Sequence, residues 1–65
     1  MNQVILCEGT LYFLSIKKAY FCKDSWDVAG AISDFLGNEP HELINDDSFQ
    51  LNEAEHGSSD EWEFY

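Results

Sequence analysis

Three hydrophobic patterns follow one another along the chain. Gln3 to Cys7 is a short apolar run rich in β-branched residues, and Leu11 to Ile16 is a second. Glu8-Gly9-Thr10 separates them, so the pair predicts a β-hairpin in which Gly9 supplies the positive φ that a tight turn requires. Lys17-Lys18 begins the next turn. Ala19 to Cys22 then reads either as a third strand or as an extension of the second, and periodicity alone does not separate the two. From residue 25 the period changes. Val28, Ala29, Ile32, Phe35 and Leu36 recur at the spacing of one buried helical stripe, which predicts a helix over 25–36. Asp24 or Ser25 caps it, Asp27 places a negative charge in its first turn, and Gly37 stops it. Pro40 suits the first turn of a further element, and His41-Glu42-Leu43-Ile44 completes one short turn of helix.

The last third alternates. Phe49 and Leu51 share one parity against Ser48, Gln50 and Asn52, and Trp62 and Phe64 share one against Glu61, Glu63 and Tyr65. With a loop over His56-Gly57-Ser58-Ser59-Asp60, this predicts a second hairpin with an apolar inner face and an acidic outer face. The same residues also form an acidic run of the kind that stays solvated as a tail, so both readings stand. The fold expected is α+β: an antiparallel sheet made of an N-terminal and a C-terminal hairpin, with one helix packed on it.

Length makes this one small domain, residues 1–65, because so short a chain buries only about 60% of its unfolded surface. An aromatic content of 15% argues against simple disorder. No apolar run approaches the roughly 20 residues of a spanning helix, and Met1-Asn2-Gln3 lacks the positive start of a signal peptide. Two cysteines, Cys7 and Cys22, are too few for a secreted disulfide scaffold, so buried thiols and a cytoplasmic setting are expected.

Charge sharpens the picture. The net charge is −10, and it is unevenly placed. Residues 1–37 carry Glu8, Asp24, Asp27 and Asp34 against Lys17, Lys18 and Lys23, and are nearly neutral. Residues 38–65 carry nine acids and no base. With no Arg anywhere, the chain lacks the cations needed to neutralise phosphates, which excludes direct nucleic-acid binding and anionic membranes. A basic partner is favoured instead.

Catalytic and metal chemistry find little support. Cys7, Cys22, His41 and His56 show no zinc spacing, and Asp46-Asp47 with Glu53 and Glu55 do not follow the calcium-loop register. A thiol in an apolar strand has nothing to lower its pKa. Solvated carboxylates make no pocket for acid–base work. No enzyme, cofactor or metal is therefore expected. The candidate partner-binding residues are Asp46, Asp47, Glu53, Glu55, Asp60, Glu61 and Glu63. Glu53 and Glu55 on one strand and Glu61 and Glu63 on its neighbour would form two carboxylate rows, with same-face spacing of about 6.6–6.8 Å, comparable to successive phosphates. The competing reading is that these acids only maintain solubility. Trp26 and Trp62 are expected to pack in the core, since small sheets need large apolar side chains.

Small size, acidic charge, absence of Arg and compact αβ character together resemble small phage-encoded inhibitor proteins, including anti-CRISPR proteins and other DNA mimics. The resemblance implies an inhibitor in the host bacterial cytoplasm that occupies a basic nucleic-acid-binding surface, for example that of a CRISPR effector complex. It implies a monomer more than a homo-oligomer. Two alternatives remain: an antitoxin-like or adaptor module using apolar contacts, and a structural protein pairing through an open sheet edge.

Overall fold

The computed structural model describes residues 1–65. Strands β1 (Asn2–Cys7), β2 (Thr10–Phe13) and β3 (Lys18–Phe21) form an antiparallel meander. Helix α1 (Ser25–Phe35), strand β4 (His41–Asn45), a four-residue helix α2 (Glu53–His56), a 3₁₀ turn (Ser59–Glu61) and strand β5 (Glu63–Phe64) follow. The sheet order is β4-β1-β2-β3-β5.

The expected hairpin is present and its turn is tight. Cys7 pairs with Thr10 across Glu8 and Gly9, whose φ values are 49° and 81°. Left-handed backbone at both loop residues is the signature of the turn that matches strand twist. Residues 18–21 form a third strand rather than an extension of the second, because the left-handed Lys17 (φ 55°) reverses the chain. The helix also follows its sequence signals. The Asp24 carboxylate accepts the Asp27 N–H at 3.1 Å, and the Asp27 carboxylate accepts the Lys23 N–H at 2.9 Å. At the other end Gly37, at φ 62°, donates its N–H to Ser33, an αL cap that satisfies an orphan carbonyl.

Three expectations need correction. The sheet is mixed, not antiparallel: β4 lies parallel to β1, and β5 lies parallel to β3. No C-terminal hairpin forms, since residues 49–52 are not a strand and β5 pairs with β3 instead. Residues 41–45 are a strand and not a helical turn, because β1 offers a free edge that satisfies their backbone on one side.

Both faces of the β1-β2-β3 meander are covered. Register places Val4, Leu6, Leu11, Phe13 and Tyr20 under α1, where Ala31 and Leu36 complete the core with Val28, Ile32 and Phe35. Ala29, expected in the stripe, is exposed, and Ala31 takes its place. The opposite face carries Ile5, Cys7, Tyr12 and Ala19. The 46–62 connection closes over it. Phe49 and Trp62 pack on Tyr12, at ring separations of 4.9 and 6.1 Å, and the Trp62 indole donates to the His56 carbonyl at 3.0 Å. The acidic segment is therefore neither hairpin nor tail: its aromatic residues anchor an irregular cover.

Trp62→Ala should abolish the cooperative melt, since losing a buried Trp costs about 3–5 kcal/mol and a domain of this size has only about 3–5 kcal/mol in total. Deleting residues 60–65 should have the same effect in thermal circular dichroism, whereas loss of a solvated tail would leave the melt unchanged. At the tight turn, Glu8→Asn should raise stability by about 0.5–1 kcal/mol in denaturant titration, because Asn tolerates the left-handed conformation better than Glu.

Candidate functional site

The seven acids singled out from the sequence do not converge. Asp46 and Asp47 follow β4, Glu53 and Glu55 sit in α2, Asp60 and Glu61 in the 3₁₀ turn, and Glu63 in β5. The paired carboxylate rows are thus absent, because only Glu63 lies on a strand. Asp47, Glu53, Glu55 and Asp60 are exposed. Asp46 is half-buried and occupied locally: its carboxylate accepts the Ser48 N–H and hydroxyl at 2.9 and 2.6 Å, which lowers its pKa.

Glu61 and Glu63 have partners that the charge map of the chain does not reveal. The Lys17 ammonium lies 2.8 Å from Glu61, and Lys18 lies 3.3 Å from Glu63. Glu63 also accepts the Tyr65 hydroxyl, and Lys18 donates to the same hydroxyl oxygen at 3.1 Å. The ammonium of Lys18 stands 5.3 Å from the Phe35 ring centre and 5.5 Å from that of Tyr65. These contacts tie the 3₁₀ turn and β5 to the meander. The Lys17 hydrogen bond and charge hold Glu61 below its usual pKa, while the Tyr65 hydroxyl and then Lys18 do so for Glu63. Eleven of the thirteen acids are left without a lysine partner. Two ion pairs therefore link the near-neutral and acidic segments, and most of the remaining carboxylates face solvent.

The thiols are placed apart. Cys7 faces the irregular cover and donates to the Phe49 carbonyl at 3.5 Å, whereas Cys22 belongs to the core beneath α1. Burial is the main cause raising both pKa values. Neither is an activated nucleophile. No three His, Cys, Asp or Glu side chains gather as a metal cage, and no helix is long and apolar enough to cross a membrane.

Two features escaped the sequence reading. Trp26 is 84% exposed rather than packed. At about 100° per residue it lies on the far side of α1 from Val28, Ile32 and Phe35, a signal present in the spacing itself. The second feature is an open apolar groove of about 620 Å³ between the start of α1 and the β1–β4 edge. Leu6, Val28, Ala29, Ile32 and Leu43 line it, with Glu8, Asp24 and Asp47 around it and Lys23 as the one cation. It forms because α1 lies over the meander and leaves β4 uncovered. No sequence pattern announces β4 as a strand, so none announces the groove.

The two glutamate pairs carry a pH dependence of defined sign. Both folded pKa values lie below their unfolded values, so their stabilisation is present above about pH 4.5 and is lost as pH falls through the folded values. The double variant Glu61→Gln/Glu63→Gln should show a shallower acid limb in melting temperature against pH, and no change in slope above about pH 6. Comparison of the chain with protein-family models, curated proteins and solved structures gives no match.

Proposed function

We propose that this chain is a small acidic inhibitor that binds, as a monomer, to a basic nucleic-acid-binding surface, in the manner of anti-CRISPR DNA mimics. It acts by occupancy, without catalysis or cofactor. The observation that carries the reading is the imbalance itself: eleven acidic side chains lack a lysine partner on a chain with no Arg. Their anchoring adds to it. Asp47, Glu53, Glu55 and Asp60 project from a segment fixed by Phe49 and Trp62 rather than from a mobile tail, so little ordering entropy opposes their engagement with a cationic groove. The working acids are therefore Asp47, Glu53, Glu55 and Asp60, with Asp46 held by Ser48 and with Glu61 and Glu63 committed to internal pairs. Such a partner would be a CRISPR effector complex or another nucleic-acid-handling protein of the bacterial cytoplasm.

A second reading, an antitoxin-like or adaptor module, is favoured by the exposure of Trp26, since solvent-facing Trp is a frequent binding anchor. Association kinetics separate the two. With a partner captured from bacterial lysate, Glu53→Lys/Asp60→Lys should slow association about tenfold or more at low salt and much less at high salt. Trp26→Ala should leave that rate unchanged. If Trp26→Ala is the costly substitution and salt matters little, the adaptor reading holds and the charge serves solubility.

A further inference from the structure

The edge formed by β4 is open in two ways at once. In the parallel pairing with β1, Asn2 donates to Pro40 and Asp46 donates to Leu6, so the even-numbered residues of this strand face β1. The backbone N–H and C=O groups of His41, Leu43 and Asn45 therefore point outward, and they have no protein partner. Beside them lies the groove. Leu43, 46% exposed, forms the boundary between the free edge and the apolar floor of Leu6, Val28 and Ile32. Of the usual edge protections the strand carries only the charge of Glu42, with no lysine, no bulge and no proline within it.

The geometry points to β4 as a docking edge for an extended basic–apolar peptide segment of a partner, which adds as a sixth strand and seats an apolar side chain in the groove. A strand added at the usual separation of about 4.8 Å would place alternate side chains beside Leu43, over the groove mouth. Charge selects the occupant. Glu8, Asp24 and Asp47 surround the groove against the single Lys23, so flanking Lys or Arg on the incoming segment is complemented. A second copy of this chain is disfavoured by the same charges, because edge-to-edge pairing would bring two chains of net −10 together. The inference shares with the proposed function only the basic character of the partner. It concerns a different surface and does not require that the partner handle nucleic acid.

The test uses three synthetic octapeptides titrated into the ¹⁵N-labelled protein: a central Leu-Ser-Leu flanked on both sides by Lys/Arg, the same core flanked by Glu, and a Ser-only core flanked by Lys/Arg. The expected result is that the Leu–Lys/Arg peptide alone shifts the amides of His41, Leu43 and Asn45 together with those of Val28 and Ile32. Leu43→Pro removes an outward N–H and spares the ladder to β1, so it should keep the fold and weaken binding about tenfold. Leu43→Lys, which keeps the backbone but sets a like charge at the groove, should weaken binding to at least the same degree and guards against misfolding of the proline variant. Shifts confined to the neighbourhood of Glu53, Glu55 and Asp60 would overturn docking at β4 while leaving the acidic-surface reading intact. Equal binding of the Leu–Glu peptide, tight binding that both Leu43 variants retain, or concentration-dependent dimerisation through β4 in the absence of peptide would each overturn it as well.

Discussion

The first strand is apolar on both faces, and the rest of the structure answers that constraint. Val4 is fully buried beneath α1, while Ile5 and Cys7 are buried on the opposite side. A single helix can cover only one face of a sheet. The second face must be closed by whatever chain remains, and what remains is the acidic segment. The segment is thus a structural cover: Phe49 and Trp62 turn inward to Tyr12, while the carboxylates between and around them stay in water.

This arrangement explains how a strongly charged chain of this length folds at all. The negative charge is held on segments whose neighbours are aromatic, and the lysines meet acids only where closure needs a clasp. Exposed pairs such as Lys17–Glu61 contribute little individually. Their placement matters more than their strength, since they register the last strand against the turn that precedes β3. Burial of Trp62 supplies the larger part of the holding force.

What could be read in the sequence was local. The Glu8-Gly9 turn, the Asp24 cap, the Gly37 stop and most of the buried helical stripe are each written within a few residues, and each is found in the structure. What could not be read was non-local. The pairing of β4 with β1 joins Asn2 to His41, and β5 joins Lys18 to Glu63; no alternation within either short strand specifies a distant parallel partner. At residues 49–52 the alternation was real but served another end, placing Phe49 against the sheet from an irregular segment. The candidate acids were legible as charge and illegible as geometry, because their spacing depends on a four-residue helix and a 3₁₀ turn in place of strands.

The strand order also has a kinetic meaning. The meander β1-β2-β3 forms from contacts close in sequence, but both outer strands must return across long stretches of chain, in the case of β4 after the whole of α1. Loop closure is paid before those contacts give anything back, so the margins of the sheet assemble last. Of the two, β5 is only two residues long and has the least to hold it, whereas β4 pairs with β1 along its whole length. The molecule is thus graded from a locally nucleated centre to borders built from distant contacts, with the buried Trp62 tying the β5 border to that centre.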